Sequence, residues 1–236
     1  MEVFDWRRYE NTHGYCPGDD EFSRSVEQQR IWEGFNTVLA MAILDPHRPR
    51  QIGFIEESEL GVVLDFGANL GWFTKLATLA GRDVLAIEAD AAVMAVLQRN
   101  VTTIEWLGHP FFAQGWIGPD TPQLSAGPRV RFLKSDVEGN ENHVVRVCAN
   151  LFKDRLVDYA MLEVSPIFAP HYPDTLQWIV SCGYTAHLIP GKGYDIARFS
   201  ADPVGCTLAQ RIDGPEMRAT VSAMRQADVL MVRSEA

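Results

Sequence analysis

The chain has 236 residues, enough for one full domain or two small ones. It is 47% hydrophobic and 22% charged, which excludes a disordered chain, a collagen and a disulfide-stapled miniprotein. Twenty-one Lys plus Arg against 31 Asp plus Glu give a net charge of -10, and no basic patch interrupts that surface, so nucleic acid is not an expected partner. No apolar run comes near the roughly 20 residues a membrane span needs. The opening MEVFDWRRYENT is polar and lacks the apolar centre of a signal peptide. Cys16, Cys148, Cys182 and Cys206 lie far apart with no CxxC pair, as expected of reduced packing thiols in a cytoplasmic protein.

In chain order, the first twenty residues are punctuated by Gly14, Pro17 and Gly18 and read as an irregular arm. A helix follows, with Ser25 and Gln28 at capping-box spacing and Ile31, Phe35, Val38 and Ala42 on one face. It must stop before Asp45-Pro46, since the residue ahead of proline avoids the helical region. Residues 1–50 are therefore expected to form an arm and helix that pack on, or cap, a main domain of residues 51–236.

Within that domain, short apolar runs alternate with helical patterns. Strands are expected at residues 62–66, 84–87, 130–133, 159–164, 184–189 and 228–233. Helices are expected through Phe73–Ala80, Val93–Val101, Val144–Leu151 and Leu176–Val180, with Pro215 in the first turn of another. Residues 102–128 resist this reading: rich in proline and glycine, they suggest one short strand near residues 104–107 and otherwise loop. The alternation predicts an α/β layered sheet.

The strongest local signal is VVLDFGANLG at residues 62–71, an apolar strand ending in Asp65 and turning through Gly67 and Gly71 into a helix. Such a turn offers free N–H groups and close backbone approach to a ligand. A dinucleotide fingerprint needs a middle glycine. Asn69 stands there instead, which favours S-adenosylmethionine over a nicotinamide cofactor. Glu88 ends the next strand, where a carboxylate can accept both ribose hydroxyls. Asp136 and Glu163 end two further strands, so four acids fall at the carboxyl edge, where ligands of open α/β sheets bind. Glu141 reads instead as a first-turn acid of the following helix.

VLDFGANLGWFT, AIEAD, LKSDVEGNE and LEVSP, taken in that order, resemble the FkbM family of S-adenosylmethionine-dependent methyltransferases over residues 61–166. The resemblance implies a Rossmann-like class I methyltransferase sheet of seven mostly parallel strands with an antiparallel last strand. It implies methyl transfer, usually to a hydroxyl of a small metabolite, sugar or natural product. On this reading Asp65, Phe66, Gly67, Ala68, Asn69, Gly71, Glu88, Ala89 and Asp136 bind the cofactor. The chain departs from the family at Ala89, where proline is usual, and across residues 102–128, where Asp120 is a weak adenine-side candidate.

Asp136, Glu138 and Glu163 are the catalytic candidates, one of them acting as general base on the acceptor hydroxyl. A Mg²⁺ held by two of them is the less favoured alternative. A cofactor-binding partner protein without turnover, or an NAD(P)-dependent oxidoreductase, are the competing classes. His109, His143 and His171 are further candidate bases, while His187 sits inside a strand and reads as structural. Trp6, Tyr9, Tyr15, Trp32, Trp106, Phe111, Phe112 and Trp116 either line an acceptor pocket or pack the arm onto the domain.

Overall fold

A computed structural model describes residues 33–44, 61–102, 107–125, 127–166, 171–191 and 194–234. The expected arm, the Ser25 capping box, Trp6, Tyr9, Tyr15, Cys16, Trp32 and Trp106 lie outside the described residues. The strands are β1 (Val62–Phe66), β2 (Val84–Glu88), β3 (Pro110–Gln114), β4 (Val130–Ser135), β5 (Val157–Val164), β6 (Tyr184–Leu188) and β7 (Ala227–Arg233). They form one sheet in the order β3-β2-β1-β4-β5-β7-β6. All neighbouring pairs from β3 to β5 are parallel, and β7 runs antiparallel between β5 and β6.

Successive residues of a strand point to opposite faces, and the central strands are apolar on both. Val63, Phe132 and Met161 enter one cluster while their neighbours Leu64, Leu133 and Leu162 enter another. The first face is covered by α1 (Gly34–Leu44) and α2 (Trp72–Leu79), through Leu39, Ile43, Phe73 and Leu76. It is completed by α7 (Ile196–Ala201) and α8 (Pro203–Leu208), through Phe199 and Val204. The second face is covered by α4 (Glu141–Val147), α5 (Ala149–Lys153), α6 (Tyr172–Ser181) and α9 (Met217–Ser222). A third cluster seats α3 (Ala91–Thr102) by Met94, Leu97 and Val101 against Ala68 and Ala86.

Four local expectations are corrected. Strand β3 lies at Pro110–Gln114, within the stretch expected to be loop, while residues 104–106 of the strand expected there lie outside the described residues. β3 is at the sheet edge with Phe111 and Gln114 exposed and the residues between half-buried, and its short apolar run is flanked by proline and glycine that read as loop. Pro110 is tolerated at its start because an edge strand can spare a donor. The helix expected through Leu151 breaks at Cys148 (φ -90°, ψ 10°) into α4 and α5. Pro215 lies in the turn ahead of α9 rather than in its first turn. Helices α7 and α8 were not expected. Each is six residues, too short for periodicity, and each is started by an aspartate: Asp195 accepts from Ala197 and Arg198 N–H, and Asp202 from Gly205 N–H.

The two ends of the sheet carry opposite chemistry. At the end where β4 and β5 begin, buried Asp158 is paired with Arg129 (2.9 Å), Arg131 (3.4 Å) and Arg233 (3.2 Å). The carboxyl end holds the acids discussed next.

Candidate functional site

Asp65 closes β1 and is 1% exposed. Its Oδ2 accepts from Thr74 Oγ at 2.6 Å, while Oδ1 is buried and has no hydrogen-bond partner among the described residues. Burial pushes this carboxyl above the ordinary range, against the pull of the Thr74 hydrogen bond and the Lys134 charge. The turn that follows carries positive φ at Gly67 (73°), Asn69 (49°) and Gly71 (91°). Gly67 and Ala68 donate their N–H groups to Ile87 O, at 2.9 and 3.0 Å.

The reason for glycine at 67 is chain against chain. A Cβ there would lie 1.7 Å from Asp136 O, so the loops after β1 and β4 touch only because none is present. Phe66 and Ala68 point into the core clusters, so only their backbone faces the edge. Glu88 accepts from Asn69 N–H at 2.9 Å through Oε2 and from Asp90 N–H at 3.0 Å through Oε1. A carboxylate has about four acceptor sites, which leaves capacity on both oxygens. Ala89 is exposed beside it.

The substrate-side acids converge on a lysine. Lys134, 4% exposed in β4, bonds Asp136 Oδ2 at 2.8 Å, lies 3.9 Å from Glu33 Oε2, and sits 4.7 Å from the Phe73 ring centroid. Burial opposes its charge, but Asp136 and Glu33 outweigh burial and raise its pKa. Burial likewise opposes the Asp136 charge, and Lys134 together with a hydrogen bond to Glu163 reverses this, holding the carboxyl below the usual range. Glu163 goes the other way. Burial, the hydrogen bond to Asp136 and that residue's charge push it up to about 9. Glu163 Oε1 also accepts from Gln226 Nε2 at 2.6 Å and Ser165 Oγ at 3.2 Å. Asp228, opposite Glu163 in the β5–β7 register, is raised to about 6 by burial and by Glu33.

The structure thus brings Asp136 and Glu163 together. Glu138 is exposed with φ 53° and acts on Glu163 only through its charge. Sequence reasoning missed Lys134, Glu33, Asn36 and Asp228 as members of the network. The Lys134 signal was present, a charged residue inside an apolar strand. Glu33 and Asn36 reach the site from the start of α1, Asn36 Nδ2 donating to Glu33 Oε2 at 3.0 Å.

Other candidates fall elsewhere. Glu141 is buried, accepts from Val137 and Gly139 N–H and from the Tyr172 hydroxyl, and so shapes the loop after β4. His187 is bonded through both ring nitrogens, to Leu208 O (3.0 Å) and Thr185 Oγ (2.8 Å), and burial keeps it neutral. His109 is exposed against Asp83, which precedes β2 at the opposite sheet edge. Asp120 is exposed in a turn, Phe112 packs on the Ala86 cluster, and Trp116 is 62% exposed. Among the described residues no three His, Cys, Asp or Glu side chains are arranged to hold a metal, and no helix is long and apolar enough to cross a membrane. Cys148, Cys182 and Cys206 are free thiols.

The strand order, the single antiparallel strand and the helices on both faces define the class I methyltransferase fold. No family model and no curated protein matches the chain. Among solved structures, it is similar to the magnesium protoporphyrin IX methyltransferase ChlM of Synechocystis PCC 6803 with bound SAM. That match has a TM-score of 0.50 and 14% identity, covering 97% of this chain and 91% of the other. A TehB-like SAM-dependent methyltransferase of Corynebacterium glutamicum follows at TM-score 0.49 and 12% identity, covering 89% and 94%. The plantazolicin methyltransferase BpumL in complex with SAH gives 0.48 and 9%, covering 92% of each chain.

Proposed function

We propose that the protein is a cytoplasmic S-adenosylmethionine-dependent methyltransferase that acts on a hydroxyl of a small molecule. The observation that carries this reading is the edge between β1 and β2. There, a buried carboxylate oxygen, Asp65 Oδ1, lacks a partner among the described residues, and a pinned carboxylate, Glu88, retains acceptor capacity. Those two features fit the amino group and the ribose hydroxyls of S-adenosylmethionine, with the backbone of residues 66–71 between them. When bound, the cofactor supplies an electrophilic methyl group on a positively charged sulfur. The chain's own residues hold the reactants in place, which supplies much of the acceleration in a displacement of this kind.

A nicotinamide dinucleotide fits less well, because the Asn69 side chain stands where the pyrophosphate needs a glycine. Asp136, paired with Lys134, is the carboxylate assigned to the acceptor proton, and Trp116 is assigned to line the pocket near the end of β3. Calorimetric titration with S-adenosylhomocysteine and with NADH tests the proposal. Binding of S-adenosylhomocysteine alone is expected, and binding of NADH alone overturns it.

A further inference from the structure

The groups around Lys134 come from five parts of the fold: Asp65 from β1, Asp136 and Glu138 from the loop after β4, Glu163 from β5, Asp228 from β7 and Glu33 from the start of α1. Asp136 and Glu163 directly follow Ser135 and Leu162, which pair in the parallel β4–β5 register, so the two acidic side chains are neighbours across adjacent strands. Two carboxylates sharing one site disfavour double ionisation, and an un-ionised member can donate its proton to the other. Geometry decides which. Asp136 holds the ammonium of Lys134 at 2.8 Å, whereas among the described residues no cation pairs with Glu163, which is bonded instead to the neutral Gln226 and Ser165. The cofactor assigned above would lie beside this pair: Asp65 Oδ1, buried and without a partner among the described residues, is on a side chain that feels both Lys134 and Asp136.

We propose that Asp136 and Glu163 form a carboxyl pair sharing one proton at neutral pH, that Lys134 is the positioning residue that fixes the negative charge on Asp136, and that the pair selects an acceptor presenting an uncharged or cationic O–H or N–H group. This rests on the methyl-transfer reading. When the acceptor oxygen forms its new O–C bond, the S–C electron pair stays on sulfur. The acceptor's O–H bond breaks, its electron pair stays on oxygen, and the proton passes to Asp136. Glu163, already carrying a proton, cannot be that base at neutral pH. It serves by donating to Asp136, which keeps the Asp136 oxygens oriented. Glu33, Asp228 and Glu138 surround the pair with further negative charge, so an acceptor carboxylate or phosphate is repelled.

Infrared difference titration of the full chain without ligand reads the shared proton directly. The wild-type protein is expected to show an un-ionised carboxyl band at pH 7 that disappears with a midpoint near 9. Glu163→Gln should lose that band. Asp136→Asn should move its midpoint down toward the ordinary carboxylate range. Lys134→Met should shift the band's position and midpoint, and Lys134→Arg, which keeps the charge if the Met variant does not fold, should restore them. An identical pH 7 carboxyl spectrum in wild type and Glu163→Gln overturns the proposal. The two readings fail separately. A protein that binds S-adenosylhomocysteine but lacks the Glu163 band refutes only the pair. A protein with the band that binds no S-adenosylhomocysteine refutes the methyl-transfer reading.

Discussion

The backbone N–H of Asn69 donates to Oε2 of Glu88 across 2.9 Å, so the turn after β1 and the end of β2 are one unit. A residue assigned to bind ribose is thereby held in place by the same turn assigned to bind methionine. Replacing Glu88 by Ala removes both the ribose acceptor and the clamp on Asn69. Hydrogen bonds to charged groups contribute about 1.5–3 kcal/mol, so S-adenosylhomocysteine affinity should fall roughly 10–100-fold with the thermal transition little changed. Glu88→Gln, which keeps one carbonyl acceptor, should lose less. Isothermal calorimetry on the two variants checks the order.

The two turn glycines should respond differently to alanine. At Gly67 the new Cβ would strike the Asp136 carbonyl at 1.7 Å, in a φ of 73° that already disfavours any side chain. Left-handed backbone and overpacking together cost about 2–5 kcal/mol. At Gly71 the nearest atoms are buried side chains, Val101 Cγ2 at 3.0 Å and Leu97 Cγ at 3.3 Å, a contact much less severe than the 1.7 Å approach to a backbone carbonyl at Gly67. Gly71→Ala should therefore cost about 1–2 kcal/mol, mostly from φ. Urea unfolding curves of both variants test the ranking, and equal losses would refute it.

Asp136→Asn keeps the shape of the side chain and most of its packing, so the protein should fold as the wild type does. Loss of a general base lowers turnover by about 10²–10⁴-fold. Single-turnover rates at saturating cofactor, once an acceptor is found by screening hydroxyl compounds, provide the measurement. Unchanged turnover removes Asp136 from the mechanism, and activity abolished by EDTA and restored by Mg²⁺ would assign it to a metal instead.

The raised pKa of Glu163 has a consequence for stability. Between about pH 4.5 and 9 the native state holds a proton on Glu163 that the unfolded chain has released. Stability contributed by that proton is present below the unfolded value and is lost as pH rises through the folded one. Glu163→Gln has no such proton to lose, so its stability relative to wild type should climb steadily across that window. Chemical denaturation at several pH values measures the difference, and a flat difference rejects the raised value.

Much of the fold was legible because β1, β2, β4, β5 and β7 are buried runs that announce themselves without alternation. Edge strand β3 was hidden by the proline and glycine that flank its short apolar run, and α7 and α8 by being shorter than two turns. The site divides in the same way. Asp65, Glu88, Asp136 and Glu163 stood at strand ends and were readable as a set, since the strand–helix order places every carboxyl end on one edge. The Lys134 network was not readable. Glu33 and Asp228 are separated from it by long stretches of chain, and only the seating of α1 and the antiparallel register of β7 bring them close.

The position of β7 also sets an order of assembly. Among the described residues its neighbours in the sheet are β5 and β6, and β6 is otherwise joined only to the short segment around Arg211 through the His187–Arg211 bridge. A growing chain that has not yet released residues 227–233 from the ribosome therefore carries an unzipped, apolar β5 edge and a β6 not yet joined to the rest of the sheet. The sheet closes only when that late segment slides between two strands made before it, so until it arrives the open β5 edge is exposed to mispairing.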